Sequence, residues 1–281
     1  MNIAVVGAGT MGHGIAYVAA VAGHGVRLYD VGDTALERAL LQIRVAVTSG
    51  VARGRIDEGA SREALARIST STKLDEAVSI ADVVIEAVPE IPALKHELFN
   101  RIARHAPPTA LLATNTSSLS VTEIAAATGA AERVAGMHFF NPVAAMKLVE
   151  IVRGRETSDE SVHRAVEFVR SLEKQSIVVG DTAGFATSRL GVVLGLEAMR
   201  MLEQGVATAE DIDTAMVLGY NHPVGPLKLT DIVGLDVRLA VAERLHNAFG
   251  GHTYEPPAIL KEMVAAGRLG KKSGKGFFDW P

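Results

Sequence analysis

The chain has 281 residues, of which 48% are hydrophobic and 21% charged, as in a soluble globular protein, and its formal net charge is −4. This acidic balance argues against nucleic acid as the main partner, although a local basic patch could still bind a phosphorylated ligand. Because there is no cysteine, disulfides, thiolate metal sites and cysteine nucleophiles are excluded. No apolar stretch is long enough for a membrane span and no signal peptide is evident, so we expect a cytoplasmic setting.

The first thirty residues combine a short apolar strand, a glycine-rich turn and a helix. Residues 3–6 lead directly into Gly7, Ala8, Gly9, Thr10, Met11 and Gly12. Gly7 allows a tight turn, Gly9 lets a pyrophosphate approach the backbone, and Gly12 lets helix and strand pack closely. A second strand ends at Asp30, about where a ribose-binding carboxylate belongs. A glycine triplet alone fits an ordinary turn, but the whole pattern predicts a dinucleotide site, and Asp30 favours NAD over NADP.

Strands alternate with helices as far as residue 180, which predicts an α/β fold with a Rossmann-type doubly wound sheet. Predicted strands are 3–6, 26–30, 68–72, 81–88, 110–114, 133–138, 146–152 and 176–179. Predicted helices in this part lie near 11–19, 35–51, 61–67, 92–105, 121–128 and 160–172. The second and third helices form an arm near 33–67, and Ser61 is the expected cap of the third. The domain 1–180 is therefore expected to bind the dinucleotide.

The strand signal ends after Gly180–Asp181, and the remainder predicts an all-helical domain over 181–281. Its expected helices are 183–204, 209–218, 227–233, 235–249 and 257–266. The stretch 270–276 is rich in glycine and lysine, so we expect a flexible basic strip there.

His138 closes a predicted apolar strand, at the sheet edge where ligands of open parallel sheets bind. Strand alternation in 146–152 places Glu150 on an apolar face, where a carboxylate is costly without a partner. A nearby histidine would satisfy it, giving a general base with its orienting carboxylate. A hydrogen-bonded core histidine and a strand-edge glutamate reaching solvent are the alternatives. Surface roles are expected for His24, His105, His163 and His246, and no histidine pair has zinc-ligand spacing, so no metal is predicted.

Two further groups are open to a structural or a functional interpretation. Ser117 and Ser118 follow strand 110–114 at the same sheet edge, where they could cap the next helix or contact a substrate. Arg53 and Arg55 end the first arm helix, where they could simply favour its dipole or bind a phosphate-bearing substrate.

Taken together, the motifs resemble those of the 3-hydroxyacyl-CoA dehydrogenase family, including short-chain 3-hydroxybutyryl-CoA dehydrogenases, over essentially the whole chain. The resemblance is carried by the glycine loop 7–12 and by the segments 86–90, 113–119, 136–142, 147–151, 181–185, 222–227, 231–236 and 272–279. It implies NAD as cofactor, a 3-hydroxyacyl-CoA substrate and a C-terminal domain that closes over the substrate and forms a homodimer.

Carried over residue by residue, the resemblance makes His138 the base and Glu150 its partner. It makes Ser117 a hydrogen-bond partner of the substrate oxygen and places Glu90 and Lys95 near the nicotinamide ribose. The matched motifs also contain Asn115, on the cofactor side, and Asn141, on the substrate side.

One position departs from the family pattern, because this chain has Ser188 where the family has asparagine. Serine has a shorter reach and a hydroxyl instead of an amide, so the base and cofactor sites are unaffected while the contacts to the substrate oxygen are open. A dehydrogenase of a free 3-hydroxy acid or sugar acid, similar to L-gulonate dehydrogenases, is one alternative. A non-catalytic NAD-binding protein is the other.

Overall fold

A computed structural model describes residues 1–281, and the chain divides into two units, Met1–Thr182 and Ala183–Pro281. All eight strands belong to the first unit. They are β1 (Asn2–Val6), β2 (Gly25–Tyr29), β3 (Ile68–Ser71), β4 (Val83–Glu86), β5 (Leu111–Thr114), β6 (Val134–Phe139), β7 (Leu148–Arg153) and β8 (Gln175–Gly180). The helices of this unit are α1 (Thr10–Val21), α2 (Asp33–Ala52), α3 (Glu58–Ala66), α4 (Leu74–Val78), α5 (Pro92–His105), α6 (Val121–Ala126) and α7 (Asp159–Ser171).

The eight strands form one sheet in the order β3-β2-β1-β4-β5-β6-β7-β8. The first six strands in this order are parallel, and β1 lies between β2 and β4, so the chain changes direction across the sheet at β1. This is the switch point at which open α/β sheets bind their ligands. The predicted α/β fold of Rossmann type is confirmed.

Strand β7 runs antiparallel to β6, and β8 is parallel to β7. The sequence pattern predicted both strands but not their direction. The reversal follows from the short connection after β6, which has no helix to carry the chain back for a parallel pairing. As a result, the start of β7 lies at the same sheet edge as the carboxyl ends of the parallel strands.

The helical arm is present, with one correction at its second helix. The hydroxyl of Ser61 does not cap α3, which begins three residues earlier at Glu58, because the side chain of Asp57 accepts a 2.8 Å hydrogen bond from Ala60 N. Helix α2 packs on α1, burying Ile43 and Val47 in the core of the unit. The short helix α4 was missed because it has little more than one turn of sequence signal.

His24 is also corrected, since it is buried and not on the surface. Its Nε2 lies 2.7 Å from the Ser171 hydroxyl, and its ring packs against Phe168. Burial lowers the pKa of His24. His105 and His163 are exposed, as expected.

The second unit is helical. Its helices are α8 (Thr187–Glu203), α9 (Ala209–Gly219), α10 (Pro226–Val233), α11 (Leu235–Phe249) and α12 (Ala258–Ala265). Buried side chains of α8, α10, α11 and α12 form its core, including Leu196, Leu227, Leu245 and Leu260. No helix in either unit has both the length and the apolar character needed to cross a membrane.

The predicted flexible strip at 270–276 is instead an ordered turn fastened to α10. The carboxylate of Asp231 is only 1% exposed and accepts 2.9 Å hydrogen bonds from Phe277 N, Phe278 N and Trp280 Nε1. A Cβ at Gly276 would overlap this carboxylate. Gly276 is therefore required by close packing around a buried acid, and Gly270 by close packing against the backbone of Asp231.

Replacing Asp231 by alanine should destabilise the second unit, because it leaves three donors without their acceptor. We expect Asp231→Ala to lower the free energy of unfolding by about 3 kcal/mol. Urea unfolding followed by tryptophan fluorescence measures this directly, since Trp280 is the single tryptophan and one of the three donors. The matched control is Asp279→Ala, whose exposed side chain lies 3.5 Å from Lys275 and should change stability by less than about 0.5 kcal/mol. Equal effects of the two variants would contradict the account.

Candidate active site

The site is built at the carboxyl edge of the sheet, where β1, β4, β5 and β6 end side by side. The backbone leaves the ladder there, so each strand delivers a loop whose amides need acceptors. Polar side chains from neighbouring loops supply them, and this brings most of the predicted residues together.

The glycine loop between β1 and α1 has the room and the donors for a dinucleotide pyrophosphate. Gly7 has a φ of 105°, and a Cβ there would lie 2.9 Å from the carbonyl carbon of Ala87. A Cβ at Gly12 would overlap the Gly7 carbonyl oxygen, whereas at Gly9 it would meet nothing within 4 Å. Helix α1 has no side-chain cap at Gly9, so its first amides are open to an anion. Thr10 and Met11 form its first turn.

Asp30 follows β2 and lies beside this loop. Its Oδ2 accepts a 2.8 Å hydrogen bond from Ala8 N, and its Oδ1 accepts a weaker one, at 3.4 Å, from Gly32 N. The predicted ribose carboxylate therefore also fixes the backbone of the glycine loop. Together with the open backbone at Gly9, it fits NAD.

A buried ion pair lies where β4 ends. Lys95, on α5, places its Nζ 2.7 Å from Glu86 Oε1 and 3.4 Å from Glu90 Oε2, and the Lys95 side chain is 0% exposed. Lys95, predicted near the nicotinamide ribose, is thus fully buried and paired with both carboxylates. The sequence analysis did not select Glu86. Its position at the end of an apolar strand could have indicated a buried carboxylate that needs a partner.

Glu90 connects this pair to the loop after β5. It accepts hydrogen bonds from Ser117 N at 2.7 Å, from Ser117 Oγ at 3.3 Å and from the Thr116 hydroxyl at 3.0 Å. Asn115 lies one residue earlier, and its Oδ1 accepts from Phe139 N at 2.9 Å. The loop is thus joined to β4 on one side and to β6 on the other.

The capping interpretation of Ser117 and Ser118 is wrong. Ser120 is the N-cap of α6, where its hydroxyl accepts from Glu123 N. Asp181 accepts from the amides at 121 and 122, at 3.0 and 2.7 Å, and reinforces that helix start. A residue immediately before the first helical turn is the favoured cap, so Ser117 lies too far upstream.

His138 and Glu150 are direct partners across β6 and β7. The antiparallel register places the two residues opposite each other, and Nδ1 of His138 lies 2.7 Å from Glu150 Oε2. His138 is 8% exposed and Glu150 is 0% exposed, so a strand-edge glutamate reaching solvent is ruled out. An ionised carboxylate only accepts hydrogen bonds, so this geometry fits the tautomer in which Nδ1 of a neutral imidazole donates to Glu150 and the lone pair is on Nε2. The ring of Phe140 packs 4.4 Å from the imidazole, centroid to centroid.

The remaining predicted residues lie on other elements. Arg53 and Arg55 are exposed at the end of α2, and Asn141 is exposed in the turn after β6. Ser188 lies in α8 of the second unit and is half-buried. No cluster of three His, Cys, Asp or Glu side chains could hold a metal ion.

Comparison with known proteins assigns both units to one protein family. Residues 2–182 match the family model described as the 3-hydroxyacyl-CoA dehydrogenase NAD binding domain, and residues 184–280 match that of the C-terminal domain. The chain belongs to the 3-hydroxyacyl-CoA dehydrogenase family. It is an NAD-dependent oxidoreductase, and the resemblance and the cofactor predicted from the sequence are confirmed.

Among relatives, a probable 3-hydroxybutyryl-CoA dehydrogenase from Bacillus subtilis is 45% identical over 99% of this chain and 97% of its own length. A 3-hydroxyadipyl-CoA dehydrogenase from Escherichia coli is also 45% identical over 99% of this chain, which spans only 59% of that relative. The crystal structure of (S)-3-hydroxybutyryl-CoA dehydrogenase from Ralstonia eutropha is 40% identical with a TM-score of 0.95, covering 100% of this chain and 99% of that one. As a member of this dehydrogenase family, the chain acts in the reversible oxidation of 3-hydroxyacyl-CoA.

Proposed function

We propose that the protein oxidises short-chain L-3-hydroxyacyl-CoA, of the 3-hydroxybutyryl-CoA type, to the 3-oxoacyl-CoA, and catalyses the reverse reduction. The His138–Glu150 pair carries this proposal. It is a buried acid–base pair at the same sheet edge as the glycine loop. The relatives named for 3-hydroxybutyryl-CoA support the choice of a short chain.

In this mechanism Nε2 of His138 removes the proton of the substrate C3 hydroxyl. NAD supplies the acceptor for the C3 hydride. The imidazolium that forms is stabilised by the Glu150 carboxylate, whose 2.7 Å contact with Nδ1 also prevents ring rotation. In the reverse direction the imidazolium returns its proton to the developing alkoxide.

The other predicted residues take supporting roles. Gly7, Gly9, Thr10, Met11, Gly12 and Asp30 bind the adenosine and pyrophosphate side of the cofactor, while Glu90 and Asn115 serve its nicotinamide side. Lys95 is fully buried, and it acts on that side only through its contact with Glu90. Ser117 donates to the substrate oxygen, and Asn141 and Ser188 complete the substrate contacts. Since Ser188 has a shorter reach than asparagine, a bridging water or Thr187 would compensate.

Removing the base should separate binding from chemistry. We expect His138→Ala to bind NADH with unchanged affinity and to lose turnover of acetoacetyl-CoA by at least about 10³-fold, within the usual range for general-base catalysis. Glu150→Gln should retain the ring position in part and lose roughly 10²-fold in kcat. Stopped-flow absorbance at 340 nm and NADH fluorescence titration measure the two quantities.

The exposed His105, at the end of α5, provides the matched control, because His105→Ala should be fully active. Normal turnover by His138→Ala would favour the non-catalytic alternative. If the wild-type protein acts on free 3-hydroxy acids or sugar acids and not on acyl-CoA thioesters, the other alternative is correct.

Arg53 and Arg55 are proposed to bind the phosphates of CoA. Both side chains are exposed at the end of α2. The larger effect, burial, leaves the pKa of Tyr17 raised, although the Arg55 charge also lowers that pKa. A bidentate guanidinium is well suited to a phosphate group.

Reversing both charges tests this CoA site. Arg53→Glu with Arg55→Glu should raise KM for acetoacetyl-CoA about tenfold or more, while kcat changes little, because attraction becomes repulsion outside the reacting centre. Steady-state kinetics over a range of ionic strengths checks it, since the loss should shrink in high salt. The exposed pair Arg101 and Arg104 on α5, changed in the same way, is the control. An unchanged KM in the test variant would refute the site.

We also propose that the second unit closes over the substrate and forms a homodimer. Several large apolar side chains on α8, α10 and α11 are exposed, including Leu190, Leu194, Ile232 and Val237. Exposed large apolar side chains on three helices of one unit support an association surface there.

Two aspartates on this face should prevent association. Leu190→Asp with Leu194→Asp is expected to convert a dimer into a monomer at micromolar concentration, because buried charges at an interface core are strongly unfavourable. Sedimentation velocity measures the mass. Leu41 is exposed on α2 of the first unit, and the control variant Leu41→Asp should leave the mass in solution unchanged. A monomeric wild-type protein would exclude the dimer.

The cytoplasmic location expected from the sequence stays a prediction that cell fractionation can test.

A further inference from the structure

Glu86 is a fully buried carboxylate that accepts hydrogen bonds from three neighbouring parts of the fold. It accepts from Val88 N at 2.7 Å, from the Thr114 hydroxyl at 2.7 Å and from Lys95 Nζ at 2.7 and 2.9 Å. These donors belong to the exit of β4, the end of β5 and α5. Burial of a charge is costly unless it is paired and hydrogen-bonded, and Glu86 meets both conditions.

Lys95 is held between two carboxylates at unequal distances. Its Nζ is 2.7 Å from Glu86 but 3.4 Å from Glu90, and only the Glu90 side chain, at 30% exposure, reaches the surface of the site. Because Lys95 is itself 0% exposed, it can act on a bound molecule only through Glu90. The shorter distance means that the electrostatic attraction between Lys95 and Glu86 is stronger than that between Lys95 and Glu90.

Glu90 has its own set of partners on the outer side. The amide and hydroxyl of Ser117 and the hydroxyl of Thr116 all donate to it. The order of contacts is therefore Glu86, Lys95, Glu90 and then the loop after β5. Movement of the lysine toward Glu90 would draw that carboxylate inward and away from Ser117.

We propose that Glu86 is a positioning residue for the cofactor. It holds the Lys95 ammonium away from Glu90, so that Glu90 keeps its oxygens for Ser117 and for the nicotinamide-side ribose. The proposal rests on the roles of Glu90 and Ser117 in the proposed function. Glu86 touches neither cofactor nor substrate in this account, and it sets affinity for the cofactor without taking part in proton transfer.

The first test neutralises Glu86 while keeping its shape. In Glu86→Gln, Lys95 has one carboxylate left and moves toward Glu90. We expect the Kd for NADH to rise about tenfold, the size of one lost charge-assisted contact. At saturating NADH, kcat with acetoacetyl-CoA should stay within about threefold of wild type, since His138 and Glu150 are unchanged.

The second test removes the unbalanced charge as well. Glu86→Gln combined with Lys95→Met has no cation to pull on Glu90, and we expect its Kd for NADH to return to within about threefold of wild type. A purely structural role of Glu86 predicts that the double variant is as weak as the single one or weaker. Met is unbranched and of similar length to lysine, so the packing of α5 is preserved.

Two controls complete the design. Glu76→Gln removes an exposed carboxylate that also pairs with a lysine at 2.7 Å, and it should leave the Kd for NADH unchanged. In the cofactor-free protein, amide hydrogen exchange of residues 114–119 should be faster in Glu86→Gln and near the wild-type rate in the double variant.

The outcomes are distinct. A Kd for NADH within twofold of wild type in Glu86→Gln, or no recovery in the double variant, overturns the proposal. If Glu86→Gln does not fold, the double variant decides: near-wild-type affinity supports the proposal and a tenfold loss overturns it. NADH fluorescence titration needs no acyl-CoA, so failure of the wild type to reduce acetoacetyl-CoA would count against the proposed function alone.

Discussion

The contact between His138 and Glu150 depends on a reversal of strand direction. Six parallel strands end at one edge of the sheet, and a seventh parallel strand would begin at the opposite edge. Because β7 is antiparallel to β6, its early residues lie at the ligand edge, and the register sets Glu150 directly opposite His138. A carboxylate two positions along either way would miss the imidazole, so the geometry of the proposed base follows from the backbone pairing.

Three carboxylates in the first unit hold the ends of strands and the starts of loops or helices in place. Glu86 organises the end of β4, Glu90 holds the loop after β5, and Asp181 supports the start of α6. Each accepts a hydrogen bond from at least one backbone amide that has no partner in the sheet. Loops that would otherwise be mobile are thus fixed by charge-assisted hydrogen bonds, which suits a site whose chemistry depends on sub-ångström placement.

Much of the fold was predictable because its signals are local. Helix α5 begins at Pro92 and α11 ends at Phe249, as expected from a proline at the helix start and a glycine after the end. The pairing of His138 with Glu150 was inferred from a carboxylate on an apolar strand face. That inference needs only the strand period and the cost of burying a charge.

What could not be predicted depends on tertiary partners. His24 looks like a surface residue until Ser171, 147 residues later, contacts it. The stretch 270–276 has the composition of a flexible strip, yet Asp231 on α10 packs closely against Gly276 and binds the amide of Phe277. Lys95 matches a cofactor-binding position by resemblance, but its pairing with Glu86 and Glu90 depends on the packing of α5 against the end of β4. In each case a distant acceptor overrides the local composition.

Asp30 has a consequence for the evolution and engineering of cofactor choice. The residue that would discriminate against a 2′-phosphate is also the acceptor for the backbone amide of Ala8. A substitution at this position therefore changes two things at once, the charge next to the ribose and the anchor of the glycine loop. Asp30→Asn would remove the charge and keep an acceptor for the Ala8 amide, whereas an apolar residue would release the loop as well.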